Sequence, residues 1–117
     1  MQLVWVRCEG DAWCPLNTVN LQNNHFDNLE GVYVIWHGGE HPATVRVGQG
    51  VVRDRLAAHR EDRDVQASSH FGLFVTWAQV SSAQRDGVEK FLADSLNPKV
   101  GERFPNRAPI AVNLPWA

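Results

Sequence analysis

The chain has 117 residues, of which 44% are hydrophobic and 21% are charged, and its formal net charge at pH 7 is −2. This length allows one domain with one modest core, and the hydrophobic share excludes a disordered chain. The acidic balance excludes a strongly basic nucleic-acid binder, and no apolar run reaches the roughly eighteen residues that cross a bilayer, so we expect no membrane partner.

The first thirty residues are predicted to form a lead-in that packs on a single domain at residues 31–117, because they are too poor in apolar residues to hold their own core. Their opening segment, MQLVWVRCEGD, has no basic stretch followed by an apolar run, so we expect a cytoplasmic location. Gln2–Arg7 alternates in hydrophobicity and predicts an edge strand. Cys8 and Cys14 are expected to be reduced thiols, since a zinc site needs two more ligands.

The central segment begins with a predicted β-hairpin followed by a helix. Gly31–Trp36 is apolar, β-branched and aromatic, which indicates a strand. The turn-rich sequence HGGEHPA separates it from Thr44–Gly48, which alternates and is predicted to be the partner strand. Val51–His59 is predicted to be helical, because Val52 and Leu56 lie four residues apart on one apolar face.

A third strand and a second helix complete the predicted α+β domain, a three-stranded antiparallel sheet flanked by helices. The strand is predicted at Leu73–Val80. The helix is predicted at Ala83–Asn97, where apolar residues recur at helical spacing until Pro98 stops it.

Five tryptophans are distributed along the chain. Trp36 and Trp77 lie in predicted strands and are expected in the core. Trp13 and Trp116 lie in irregular segments, where an exposed ring can provide a stacking surface for nucleobases.

An arginine-rich stretch lies between positions 46 and 63, with three acidic residues within it and Asp64 directly after it. It has two interpretations. It is either a solvated, salt-bridged helix or a local phosphate-binding patch, which needs only a few arginines on one face. The arginines are Arg46, Arg53, Arg55, Arg60 and Arg63.

Five short motifs occur in order along the chain: GVY at Gly31–Tyr33, VGQ at Val47–Gln49, RLAAH at Arg55–His59, then Glu89 and Asn113. Together with the order hairpin, helix, strand, helix, this series resembles the GIY-YIG nuclease domain. GVY corresponds to GIY, and VGQ corresponds to the second half of YIG with the glutamine that often follows. RLAAH is similar to the first-helix motif, and Glu89 to the second-helix glutamate.

The resemblance implies an endonuclease that hydrolyses nucleic-acid phosphodiesters with one Mg²⁺ or Mn²⁺. Tyr33 would activate water, directly or through His59. Arg55 would bind phosphate oxygens, and Glu89 would hold the metal. Each of the four also has an ordinary structural explanation, such as packing for Tyr33 and the helix dipole for His59. The substrate-binding residues implied are Arg46, Gly48, Gln49, Arg53 and Asn113, with Asn106 competing with Asn113 for the family's late asparagine.

One departure from the family pattern is that Arg46 replaces the tyrosine of YIG. An arginine stays protonated and cannot act as a general base. We therefore expect slow hydrolysis, with DNA favoured over RNA as the partner. The alternative is a catalytically degenerate module that binds nucleic acid or a partner protein.

Two geometric expectations follow from the same comparison. Arg46 is expected to face the side of the sheet that carries Thr44 and Tyr33. Arg55 and Glu89 are expected to approach one concave surface, with Tyr33 on the sheet between them.

Overall fold

A four-stranded antiparallel sheet forms the centre of the protein in the computed structural model, which describes residues 1–101 and 104–116. The predicted domain 31–117 includes the three positions outside these ranges. The sheet has the order β1-β4-β2-β3, so β3 lies at one edge. Its strands are β1 (Cys14–Pro15), β2 (Glu30–His37), β3 (Ala43–Val51) and β4 (Leu73–Gln79).

Among the described residues, three α-helices complete a compact, mixed α+β domain: α1 (Val52–Arg60), α2 (Arg63–Gln66) and α3 (Ser82–Leu96). The predicted hairpin, third strand and two long helices are confirmed to within a few residues. The prediction of three strands is wrong, because the two residues of β1 add a fourth strand that is too short to show in a hydrophobicity pattern.

The predicted edge strand at Gln2–Arg7 is also wrong. This segment is irregular, although the Val6 amide donates to the Trp77 carbonyl oxygen at 3.0 Å and the Thr76 hydroxyl donates to the Val6 carbonyl oxygen at 2.8 Å. The ladder position beside β4 is taken instead by β1, where Cys14 is paired with Val75.

The two faces of the sheet carry separate hydrophobic cores. Tyr33 and Ile35 of β2 pack with Leu56 of α1 on what we call the first face. Val32 and Val34 pack with Leu92 of α3 on the second face. This alternation explains why α1 and α3 lie on opposite sides of the sheet.

Two glycines of the motifs are required by close contacts. A Cβ at Gly31 would lie 2.0 Å from the Ala78 carbonyl oxygen, and a Cβ at Gly48 would lie 2.1 Å from the phenolic oxygen of Tyr33. Both distances are far below a van der Waals contact, so any side chain would displace β4 or the phenol.

Most of the lead-in packs against the first face, where arginines of α1 bind its backbone, while Leu3 and Trp5 pack against the second face. Leu16 and Phe26 are buried in the first-face core. Arg53 donates to the Leu21 carbonyl oxygen at 2.7 Å, and Arg60 donates to the Leu16 carbonyl oxygen at 2.8 Å. Two of the five clustered arginines therefore hold the lead-in in place.

The expectation of reduced thiols is wrong, because Cys8 and Cys14 form a disulfide with Cα atoms 5.2 Å apart. A 3₁₀ turn at Glu9–Asp11, with φ of 68° at Gly10, reverses the chain between them. Disulfides are typical of oxidising compartments, so the cytoplasmic location stays a prediction that this bond does not support. None of the helices in the described ranges is long and apolar enough to cross a membrane.

Reduction of this disulfide is expected to lower the free energy of unfolding by about 2 kcal/mol, because the bond closes a short loop in the unfolded chain. Urea unfolding of the protein with and without dithiothreitol measures the difference. The variant Cys8→Ser with Cys14→Ala should match the reduced protein and should not respond to dithiothreitol. Equal stability of the oxidised and reduced protein would contradict the expectation.

Candidate functional site

A hydrogen bond between Tyr33 and His59 links the sheet to α1. The phenolic oxygen lies 2.6 Å from Nε2 of His59. The Tyr33 side chain is fully buried and that of His59 is 3% exposed. The phenol lies across Gly48, its cross-strand neighbour in β3. The structure therefore brings together three residues that the sequence singled out.

The environment of His59 keeps its imidazole neutral near pH 7. Burial lowers its pKa to about 4, with help from the positive charges of Arg46 and Arg55 and against the opposing effect of Asp62. A neutral imidazole whose Nδ1 carries the proton accepts at Nε2, so the Tyr33 hydroxyl donates to it.

Asp62 is a site residue that the sequence did not single out. Its Oδ2 lies 3.8 Å from Nδ1 of His59, while Oδ1 accepts the Asp64 amide at the start of α2. The sequence did carry one signal for Asp62, because a carboxylate three residues after a histidine at the end of a helix can lie close to the imidazole. Nδ1 of His59 has no hydrogen-bond partner among the described residues, so Asp62 acts on the imidazole through its charge and not through a hydrogen bond.

Arg46 lies on the first face beside this pair. In the β2–β3 ladder Ile35 is opposite Arg46, whereas Trp36 is opposite Thr44, so the register slips by one residue at Val45. Arg46 consequently shares a face with Tyr33, as expected. The expectation that Thr44 shares this face is wrong, because the slip turns Thr44 to the second face.

Arg46 and Arg55 differ from the other arginines in the cluster. Within the described part of the chain, neither has a carboxylate within 4.0 Å, and the buried Nε of Arg46 has no hydrogen-bond partner. Arg53, in contrast, lies 2.8 Å from Asp27. The charge of Arg53 is neutralised by Asp27 of the lead-in. Among the described residues, the charges of Arg46 and Arg55 are not neutralised in this way and can bind an anion.

A cavity of about 660 Å³ opens beside Arg46 on the first face. Asp62, Lys99 and Gly101 are among the residues that line it. The Arg46 guanidinium lies against the backbone of Gly101, where a Cβ would come within 2.5 Å of Nη1. The cavity therefore brings the half-buried cation of Arg46 together with Asp62, whose carboxylate lies 3.8 Å from the buried His59.

Glu89 of α3 lies on the second face and is joined to β3 by Gln49. The Gln49 side-chain amide donates to Glu89 Oε1 and to Asp86 Oδ1, each at 2.7 Å. Asp86, one helical turn before Glu89, is a second neighbour that the sequence did not single out. The two carboxylates converge on one amide group.

The electrostatic surroundings of Glu89 link it to the arginines of the first face. Burial raises the pKa of Glu89, against the hydrogen bond from Gln49 and the charge of Arg46, while Asp86 raises it further and Arg55 opposes the rise. The expectation that Arg55 and Glu89 approach one concave surface, with Tyr33 between them, is wrong. Glu89 comes from the opposite face, and the groups approach each other only across the edge strand β3.

The remaining predicted substrate-binding residue, Asn113, has its side-chain amide engaged elsewhere. Its Oδ1 accepts the Leu3 amide at 2.6 Å, and its Nδ2 donates to the Leu3 carbonyl oxygen at 3.1 Å. This pair of bonds holds the N-terminal segment, and a substrate role for Asn113 stays a prediction. The competing Asn106 is exposed on the tail.

The donor set around Glu89 is compatible with magnesium but does not form a complete cage. No cluster of three or more His, Cys, Asp or Glu side chains with metal-ligand geometry occurs among residues 1–101 and 104–116. Mg²⁺ is commonly held by one or two carboxylates together with waters and substrate phosphates. Glu89 and Asp86 supply two carboxylates one helical turn apart, so they fit that mode.

The burial of His59 predicts a loss of stability in acid. Its pKa in the folded protein, about 4, lies below the ordinary value of 6.5. The unfolded chain therefore binds this proton more readily, and the free energy of unfolding should fall by about 3 kcal/mol as pH drops from 6.5 to 4. Glu89, whose folded pKa is raised, contributes in the opposite direction and reduces this fall.

Urea unfolding of the wild type and His59→Gln across this pH range measures the effect. The glutamine can still bond to Tyr33 but does not titrate, so its stability should depend less on pH. Parallel curves for the two proteins would contradict the assignment of a neutral, buried imidazole.

The comparisons with known proteins do not identify a family. No protein-family model matches the chain, and no curated protein or solved structure matches it.

Proposed function

We propose that this protein is a slow, metal-dependent nuclease of the GIY-YIG type that hydrolyses nucleic-acid phosphodiesters. The observation that carries the proposal is the 2.6 Å bond between Tyr33 and a neutral His59 next to two arginines without carboxylate partners in the described ranges. A potential general base beside cations suited to phosphate is what this chemistry requires.

The proposed reaction uses Tyr33 and His59 as a proton-accepting pair. His59 takes the phenolic proton at Nε2, which is an unfavourable transfer because the pKa of His59 is about 4, and the phenolate oxygen then takes a proton from the attacking water. Because neither Tyr33 nor His59 is appreciably exposed, the step requires a local opening of the site, which is one reason to expect a slow reaction.

The phosphate is held by charge and by the groups around Glu89. Arg46 and Arg55 bind the non-bridging oxygens and stabilise the charge that develops on them. Glu89, with Asp86 beside it, would hold Mg²⁺ or Mn²⁺, and such an ion would supply Lewis-acid stabilisation of the charge that develops on the phosphoryl and departing oxygens. Gln49 positions both carboxylates through its amide.

A second candidate function is favoured by the complete burial of Tyr33 and by Arg46 in place of a tyrosine. In this alternative the domain binds nucleic acid, or a partner protein, without cutting. The arginines would then hold phosphates, and the Tyr33–His59 pair would only stabilise the fold.

Incubation with labelled single- and double-stranded DNA and RNA distinguishes these functions. The enzyme, in excess, is tested with Mg²⁺, Mn²⁺ or EDTA. The nuclease proposal predicts slow cleavage that requires metal, and affinity that falls steeply with salt because phosphate contacts release counterions. Salt-sensitive binding without cleavage of any substrate would establish the binding module. Neither cleavage nor salt-sensitive binding would contradict both nucleic-acid functions.

A further inference from the structure

Three tryptophans from distant parts of the sequence meet at the end of the hairpin. The ring of Trp36 lies 5.2 Å from that of Trp13 at an interplanar angle of 90°, and 4.9 Å from that of Trp116 at 63°. They line a cavity of about 690 Å³ together with the polar residues Thr44 and Asn97. This volume lies in the range of small-ligand sites.

The tryptophan cavity lies at the margin of the second-face core, against which Trp36 packs. Trp116 is 44% exposed, whereas Trp77, in β4, is 2% exposed. The sequence-based expectation that Trp77 is core is confirmed. Trp36 is only partly buried and, through the register slip at Val45, faces this cavity beside Thr44.

Lys99 connects the tryptophan cavity with the Arg46 cavity, because it lines both. The Lys99 amide donates to the Thr44 carbonyl oxygen at 3.2 Å, and the Val100 amide donates to that of Val45 at 2.8 Å. This segment therefore runs along the outer edge of β3. The Lys99 ammonium lies 3.4 Å from Nε2 of His37, and its other two N–H groups have no acceptor among residues 1–101 and 104–116.

We propose that the cavity formed by Trp13, Trp36 and Trp116 binds an unpaired nucleobase of a strand whose phosphates lie on Lys99 and Arg46. The proposal rests on the proposed nucleic-acid function and extends it by naming the substrate class. Single-stranded segments, such as overhangs, should bind better than continuous duplex, because a paired and stacked base does not expose its faces. Aromatic rings beside a basic track are the usual means of holding single strands.

The charge around the cavity selects against other occupants. The Arg7 guanidinium lies 4.0 Å from the centre of the Trp13 ring and is paired with Asp11 at 3.5 Å, and Lys99 adds a positive charge at the cavity wall. These charges disfavour a cationic ligand and favour a polyanion. A proline-rich peptide also docks on aromatic grooves, but such a peptide does not use a continuous path from Lys99 to Arg46.

Oligonucleotide binding by Trp116→Ala tests this inference. Affinities are measured in EDTA, where no cleavage occurs, for a labelled single strand, an abasic strand of equal length and a blunt duplex. Losing one stacked base should weaken single-strand binding about 5- to 100-fold. Binding of the abasic strand, which has the phosphates without the bases, should change less than about twofold.

Phe71→Ala is the matched control, because Phe71 is 45% exposed and lies outside the cavity. It should leave all three affinities unchanged. Equal losses for the single and abasic strands in Trp116→Ala would overturn the inference. So would a wild type that binds no oligonucleotide but binds a proline-rich peptide through Trp116.

The two proposals fail in distinguishable ways. If the wild type binds single strands through Trp116 but cleaves nothing, the stacking site stands and the nuclease function falls. If the wild type cleaves and Trp116→Ala binds every substrate normally, the nuclease function stands and the stacking site falls.

Discussion

Replacing Tyr33 by Phe is expected to lower the cleavage rate by about 10²–10⁴-fold, the usual cost of losing a general base. The phenylalanine ring can occupy the same position over Gly48 but cannot transfer a proton to His59. Substrate affinity should change little, because the arginines that bind phosphate are untouched. Single-turnover cleavage and salt-dependent binding, measured on the same preparation, separate these two effects.

The stability of Tyr33→Phe must be followed at the same time, because the change leaves a buried imidazole nitrogen without its donor. This unsatisfied nitrogen should lower the free energy of unfolding by about 1–3 kcal/mol. His59→Gln retains a hydrogen-bonding partner for Tyr33 and should also cleave slowly. Undiminished cleavage by a folded Tyr33→Phe would show that the phenol is a packing group.

The variant Glu89→Gln is expected to lose cleavage by at least about 100-fold, since metal coordination stabilises the transition state by several kcal/mol. Its stability should stay the same or increase. Burial raises the pKa of Glu89, so the ionised carboxylate is disfavoured in the folded protein and a neutral amide is not. Loss of activity without loss of stability is the signature of a functional carboxylate.

Asp94→Asn provides the matched control on the same helix. Asp94 is exposed and lies 2.9 Å from Lys90, away from Gln49 and Glu89. It should cleave like the wild type. Equal activity of Glu89→Gln and Asp94→Asn would contradict a metal-binding role for Glu89, and unfolding of Glu89→Gln would indicate a structural role.

The sequence predicted the central hairpin, the third strand and the long helices because their apolar residues recur at clear strand and helix spacings. It also predicted the tyrosine–histidine neighbourhood through family resemblance. The two-residue strand at Cys14–Pro15 and the disulfide were missed, since both depend on a tight turn at Glu9–Asp11 that hydrophobic periodicity does not report. The expectation for the cysteines relied on the compartment and not on local geometry.

The arrangement of the site could be predicted only in part. A perfect alternation along β3 would place Thr44 and Arg46 on one face, but the slip at Val45 separates them and creates two cavities. Matching motifs suggested one surface for Arg55 and Glu89. The fold instead packs α1 and α3 on opposite faces, so these groups approach each other only around the edge of β3.

Side chains engaged in the fold are equally difficult to recognise from sequence. Arg53 and Asn113 matched the expected chemistry of substrate binding, yet both are engaged with backbone atoms of the N-terminal thirty residues. A motif reports which residue type is present, whereas the long-range partner that occupies it depends on the tertiary structure. Arg46 and Arg55 have no carboxylate within 4.0 Å among the described residues. They are therefore the stronger phosphate-binding candidates.

The cleavage rate of Arg46→Tyr tests the central claim, that these groups form one phosphodiester-cleaving site, most directly. Restoring a tyrosine returns a proton-transfer partner beside Tyr33, a gain of about 10²–10⁴-fold, whereas Arg55 can still bind the phosphate when the Arg46 guanidinium is lost. We therefore predict that Arg46→Tyr cleaves at least about tenfold faster than the wild type. This gain should disappear when Tyr33→Phe or Glu89→Gln is added. No cleavage by either protein, or a gain that survives both additional changes, would contradict the claim.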